Sequence, residues 1–279
     1  IGGPPCQGFS VAGKMDPKDP RSEHVWTFTN VVEQLQPKAF VMENVKALGK
    51  LQKFEPLRRE LLSKFKDLGY AVNYVVLNAT DFNVPQARER VFFIGFKNNS
   101  KIIPDLEKML EPYKKTAPTV REALACLDKA GTGNNQGICK GRPVKIDGYC
   151  ATLPASMGGN RTPIIDNEEL YNNKESWVIK YHSDLMNGKS PKTFKEAPKR
   201  LRRMTLEEAS LLQTFPKDYE FCGSQSSKFK QIGNAVPCNL GYNIGRMVMD
   251  CLINDEIENI ILNLQHQLEF DNINDWKYR

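Results

Sequence analysis

The chain has 279 residues, 40% hydrophobic and 26% charged, with a formal net charge of +6. That suits one large domain, or a large domain with a smaller companion, and excludes wholesale disorder. No run approaches roughly 18 uncharged apolar residues, so no transmembrane helix is expected, and the opening residues lack the basic and apolar regions of a signal peptide. The seven cysteines (Cys6, Cys126, Cys139, Cys150, Cys222, Cys238, Cys251) form no CxxC pair. A disulfide framework or zinc ribbon is not expected, and a reducing compartment fits better. His24, His182 and His266 are the only histidines. None stands in a ligand spacing, so no catalytic metal is expected.

In chain order, residues 26–35 have helical spacing and stop before Pro37. AFVMEN (39–44) is a short apolar run of strand length. Pro56 opens a helix with Leu57, Leu61, Leu62, Phe65 and Leu68 on one face, and Gly69 closes it. YAVNYVVLNA (70–79) and RVFFIGF (90–96) are further strands, rich in β-branched and aromatic residues. Helices alternating with buried strands predict a sheet covered on both faces. Three strands are few for such a sheet, and Ile1 opens directly into GGPPCQGFS; both point to further material upstream. Residues 98–199 are rich in Gly, Asn, Pro and Lys with weak periodicity, and predict a separate loop-rich domain containing the loop GTGNNQG (131–137). Order returns at Thr205, which with Glu208 forms a capping box for a helix holding Ala209, Leu211, Leu212 and Phe215, ended by Pro216. Beyond QIGNAVP (231–237), residues 240–253 read as a helix. Ile257, Ile260, Ile261, Leu264 and Leu268 extend the spacing into an acidic, amphipathic tail.

Charge is uneven. Residues 186–203 hold seven basic residues against Glu196, and residues 250–279 hold seven acidic against two basic. The basic segment suits a phosphate backbone, although a solvated loop has the same composition.

Three groups of residues can carry chemistry. In PPCQ, two prolines stiffen the backbone before Cys6, which poises a nucleophile; a buried structural cysteine is the alternative. Glu43, in ENV, ends an apolar strand. In a doubly wound sheet adjacent strand ends line one crevice, so Glu43 could face Cys6, with a raised pKa and a proton to donate. It could equally cap the next turn. In QARER, Gln86, Arg88 and Arg90 alternate and project to one side of an extended segment. Paired arginines bind phosphate or carboxylate, and an exposed edge strand is the plain alternative.

Together PPCQGFS, ENV, QARER, RRMTLEEASLLQTFP and QIGNAVP stand in the order and rough spacing of the cytosine-C5 DNA methyltransferases. The chain resembles that family along nearly its whole length. It opens where the fourth family motif begins, so the glycine motif (FxGxG type) that binds S-adenosylmethionine and the acidic residue that holds its ribose lie outside it. The resemblance implies an α/β fold: a Rossmann-like, S-adenosylmethionine-dependent methyltransferase sheet, N-terminally incomplete, with a smaller loop-rich target-recognition domain. The implied divisions are 1–97 (catalytic part of the large domain), 98–228 (recognition domain) and 229–279 (return to the large domain, with a helical tail).

The implied activity is DNA cytosine-5 methylation in restriction–modification. S-adenosylmethionine is the cofactor and double-stranded DNA the partner, in the cytoplasm, without metal or membrane. A missing N-terminal segment or a complementary subunit would complete the cofactor site, so these residues alone should methylate poorly. By the same resemblance Cys6 adds to cytosine C6 and Glu43 protonates N3. Arg90 touches the O2 region and orients Glu43, while Arg88 and Ser10 contact phosphates. Gln7 fills the gap left by the flipped base, and Gln86 joins the DNA-contacting set. The cofactor meets Pro5, whose carbonyl also faces the exocyclic amine, together with Asn234, Ala235 and His24. His24 stands where the family has a leucine, a departure that a backbone-only contact tolerates. Residues 13–24 match the mobile loop that closes over DNA. Asn160 and Arg161, in SMGGNRTP, are candidates for base readout, though a simple turn reads the same. Flipping is needed because C5 and C6 are stacked inside a duplex. The rival readings are a tRNA cytosine-5 methyltransferase of the same fold, a non-catalytic DNA-binding subunit, and a cysteine hydrolase. The hydrolase would need a basic His near Cys6.

Overall fold

The computed structural model describes residues 1–5, 9, 23–97, 103–127, 142–159, 161–189 and 198–254. In chain order the elements begin with α1 (His24–Leu35), β1 (Ala39–Val45), α2 (Lys46–Lys50), α3 (Glu55–Asp67), β2 (Tyr70–Asn78), β3 (Gln86–Ala87) and β4 (Glu89–Lys97). Then come α4 (Leu106–Leu110), α5 (Val120–Leu124), β5 (Cys150–Ala151), β6 (Ile164–Asp166), α6 (Asn167–Asn172), α7 (Trp177–Met186), β7 (Leu201–Arg203), α8 (Leu206–Leu212) and α9 (Gln225–Asn234). Residues 238–254 are also helical.

The chain divides into two compact units. The first comprises Ile1–Leu77, Arg90–Tyr113 and the chain from Tyr242 on; the second comprises Asn78–Glu89 and Lys114–Gly241. These limits differ from the divisions at 97 and 228 that the resemblance implies. Backbone pairing explains the first difference. Phe82 bridges Lys115, and Gln86 and Ala87 pair with Cys150 and Ala151, so residues 78–89 are tied to the second unit. Loss of periodicity at residue 98 marks a change of local pattern, not of packing partner.

In the first unit the sheet order is β1-β4-β2. β1 runs antiparallel to β4, from Ala39 opposite Phe96 to Val45 opposite Arg90. On the other side of β1, Gly2 bridges Met42 in parallel. A Cβ on Gly2 would lie 2.7 Å from the ring of Phe28 in α1, so only glycine lets this segment lie so close. The core holds Val25 and Val32 of α1, Leu61 and Phe65 of α3, and Phe40, Met42, Val72, Val91 and Phe93 of the strands. Phe40 and Phe65 rings pack with centroids 4.3 Å apart. α1 ends where Gln36 turns left-handed (φ 44°) ahead of Pro37. Gly69, at φ 82°, lets α3 turn into β2.

The second unit has short paired strands, β3 with β5 in parallel and β6 with β7 antiparallel. Its core joins Val120 and Leu124 of α5 to Leu153, Ile165, Ala209, Leu212, Phe229 and Ile232. Residues 98–199 thus carry more helix than expected, because α5 to α7 are too short to show a clear period. The capping box forms, with Thr205 accepting from Glu208 N and Glu208 from Thr205 N. α8 stops at Leu212, short of the expected Phe215, because Gln213 serves as C-cap and Thr214 is left-handed (φ 58°). α9 went unforeseen, since of QSSKFKQIGN only Phe229, Ile232 and Gly233 are buried. The helical tail at 257–268 and the loop GTGNNQG lie outside the described residues. Among the described residues no helix is long and apolar enough to cross a membrane.

Candidate active site

The site in the first unit is built on the edge where Gly2 meets β1. Gly2 N donates to Val41 O (3.0 Å) and Glu43 N to Gly2 O (2.9 Å). Asn44 then reaches back, its Nδ2 donating to Pro4 O at 3.2 Å. The Asn of ENV therefore clamps the backbone at Pro4, beside the Glu of ENV. On the far side of the cysteine, Phe9 is fully buried and meets Phe54 edge-on at 5.3 Å. Cys6, Gln7 and Ser10 themselves lie outside the described residues, as does most of the 13–24 segment.

Register sets the partner of Glu43. It stands opposite Phe92 in the antiparallel pair, so Arg90, two residues along β4, is its diagonal neighbour on the same face. Arg90 Nε lies 2.9 Å from Glu43 Oε1, with the side chains 15% and 18% exposed. A Cβ on Gly3 would stand 3.4 Å from Glu43 Oε2. One carboxyl oxygen is thus held by Arg90 while the other faces the segment that leads to Cys6. Pro5 is exposed, and His24 is the exposed first residue of α1.

In the second unit the alternation of QARER has a different outcome from the expected row of ligands. Gln86 is fully buried and Arg88 is 1% exposed. Gln86 Nε2 donates to Gln213 Oε1 (2.5 Å), and its Oε1 accepts from Leu153 N (3.0 Å). Arg88 donates to Leu153 O (3.2 Å) and Gly233 O (3.0 Å). Neither side chain offers a surface to a phosphate. Both side chains are engaged inside the unit, Gln86 with Gln213 and Leu153, and Arg88 with Leu153 and Gly233. Asn234, exposed, ends α9, and half-buried Ala235 caps it.

Arg161 is exposed on a turn. That turn is less free than its glycines suggest, since Thr162 Oγ1 accepts from Gly158 N (3.1 Å) and donates to Gly159 O (2.8 Å). Asn160 lies outside the described residues. The basic stretch is also partly turned inward: Arg200 pairs with Asp166 (2.7 Å) and Arg202 with Glu208 (2.6 Å). Cys150, beside Gln86, is a poor nucleophile, because burial pushes its thiol up to about 12. Among the described residues no group of three or more His, Cys, Asp or Glu could hold a metal ion.

Two residues escaped the sequence reading. Asn44 stands within ENV, where the neighbouring Glu43 carries the stronger signal. Gln213 carried a weak signal, an amide directly after two leucines of an apolar helix face.

Comparison with known proteins gives the family. The profile of the C-5 cytosine-specific DNA methylases matches residues 1–250. The type II methyltransferase M1.HphI of Haemophilus parahaemolyticus is 35% identical, over 91% of this chain and 69% of its own length. M.HindV of Haemophilus influenzae is 33% identical, over 93% and 76%. In fold, the Entamoeba histolytica methyltransferase EhMeth superposes with a TM-score of 0.64 at 17% identity, over 90% of this chain and 76% of its own. The match spans ENV, QARER and GNAVP together, and so the chain belongs to the C-5 cytosine-specific DNA methylase family.

Proposed function

We propose that this protein methylates C5 of a flipped cytosine within a specific duplex DNA site, through a covalent bond from Cys6 to C6, as part of a restriction–modification system. The observation that carries this reading is the held carboxyl of Glu43. Arg90 fixes one oxygen, and the other faces the strand end that Asn44 clamps just before Cys6. The type II relatives support the restriction–modification setting.

C5 of cytosine is a weak nucleophile. The Cys6 thiolate adds to C6, and Glu43 delivers a proton to N3 as the ring's electrons shift, leaving an enamine with a nucleophilic C5. Arg90 keeps Glu43 aimed and contacts the O2 side of the base. After transfer, water takes the C5 proton, the C5–C6 double bond re-forms, Cys6 departs as thiolate and N3 returns its proton to Glu43. Each role suits its residue: a soft nucleophile that can also leave, and an acid within reach of N3.

S-adenosylmethionine, when bound, supplies the methyl group. The residues present fit it. The Glu23 side chain does not cap the N-terminus of α1, and the backbone N–H groups of a helix N-terminus suit a carboxylate. The exposed Asn234 amide can both donate and accept. Pro5 and Ala235 would complete the contacts this chain offers. Arg161, with Asn160, would serve base readout, while Gln7, Ser10 and the lysines of the basic stretch would contact the duplex.

The test is mechanism-based trapping with the full chain its gene encodes. Fluorine at C5 of a 5-fluorocytosine duplex cannot leave as a proton, so the covalent adduct should persist in the presence of S-adenosylmethionine. Cys6→Ser should abolish it. An adduct that survives in Cys6→Ser, or methylation of tRNA in place of duplex DNA, would overturn the proposal.

A further inference from the structure

Side chains from separate stretches of the second unit converge on the end of α9. Gln213 Nε2 donates to Ile232 O (2.8 Å) and to Ala235 O (2.9 Å). Arg88 Nη2 donates to Gly233 O (3.0 Å). The last carbonyls of a helix have no partner within it, and here buried side chains supply partners. Arg88 also brings a positive charge to the negative end of the helix. The Gln213 amide has one possible orientation. Its Oε1 accepts from Gln86 at 2.5 Å, so its two N–H groups must face Ile232 and Ala235. Gln86 is itself oriented by Leu153 N at 3.0 Å. Gln86 and Gln213 are fully buried, so water does not compete for these bonds. Gly233 closes the arrangement: a Cβ there would lie 2.6 Å from the backbone of Ala155. The backbone of 232–235 is thus bound from inside at three carbonyls, while Asn234 remains exposed and Ala235 half-exposed.

We infer that Gln213 is a positioning residue for the cofactor: it holds the backbone that carries Asn234 and Ala235 in the orientation from which they meet S-adenosylmethionine. The inference rests on the methyltransferase reading above. Gln213 touches no substrate; it acts through the carbonyls of Ile232 and Ala235. An apolar side chain of similar volume would fill the same space but remove both amide bonds, leaving Ile232 O to the longer contact from Ala235 N (3.3 Å).

The experiment measures equilibrium binding of S-adenosylmethionine by calorimetry, without DNA, to the full chain its gene encodes. Gln213→Met and Gln213→Asn are compared with the wild type, alongside thermal unfolding and duplex DNA affinity. Gln213→Met should weaken cofactor binding about tenfold and leave DNA affinity within about twofold. Gln213→Asn keeps the amide but falls one methylene short, and should lie between. A purely structural role would lower the unfolding temperature and leave the cofactor affinity of the folded protein within about twofold in both variants; that result overturns the inference alone. If Gln213→Met does not fold, the Asn variant decides by the same criterion. Absence of S-adenosylmethionine binding by the wild type would overturn the methyltransferase reading and this inference with it.

Discussion

Glu208 shows how a motif carboxylate can serve the scaffold alone. It is 2% exposed and grips Arg202, itself 1% exposed, through two bonds of 2.6 and 2.8 Å. It also accepts from Thr205 N at 2.8 Å as half of the capping box. Glu208→Ala would leave the Arg202 guanidinium buried among the neutral oxygens of Asn167, Arg203 and Tyr171. Breaking a buried pair from one side costs about 3–5 kcal/mol, and losing the cap about 1 kcal/mol more. That is a large part of the roughly 5–15 kcal/mol by which a domain is stable. The double variant Arg202→Met/Glu208→Leu removes both charges and should recover most of the loss. Urea unfolding followed by fluorescence of Trp177, in the same unit, reads both. A Glu208→Ala cost below about 1 kcal/mol, or a double variant as unstable as the single, would refute this account of a desolvated charge held by its partner.

Three further outcomes are expected. Glu43→Gln keeps the shape but removes the acid, so single-turnover methyl transfer by the folded variant should slow by about 100- to 10,000-fold; a loss below about tenfold would exclude Glu43 as the acid. Cys150, 1% exposed, should resist thiol reagents at neutral pH while exposed Cys126 and Cys222 react. Its thiol rises from 9.0 to about 12 on folding, so the native state keeps a proton that the unfolded chain releases. That contribution is whole below pH 9, falls away between pH 9 and about 12, and should vanish from alkaline unfolding profiles of Cys150→Ala. Gly233→Ala forces a Cβ to within 2.6 Å of the Ala155 backbone. It should cost about 1–3 kcal/mol in thermal or urea unfolding, and a neutral result would mean that the two segments can separate at no cost.

What the sequence determined by itself is the set of strongly patterned elements. The apolar runs of β1, β2 and β4, the amphipathic α3 between its proline and glycine, and the Thr205–Glu208 box all formed within a residue or two of their expected places. Each is governed by neighbours only a few positions away, and such periods and caps are written locally. Motif order likewise identified the family. Tertiary structure alone decided how polar side chains were used. Gln86, Arg88 and Arg90 alternate identically in sequence, yet two are buried around the α9 terminus and the third holds Glu43. α9 itself, poor in apolar residues, forms with its last carbonyls bonded by Gln213 and Arg88 from distant stretches. The same distance explains Asn44, which reaches 40 residues back to clamp Pro4. A buried polar group must find a partner. The sequence shows that the group is there, and only the folded chain shows which carbonyl comes within 3 Å of it.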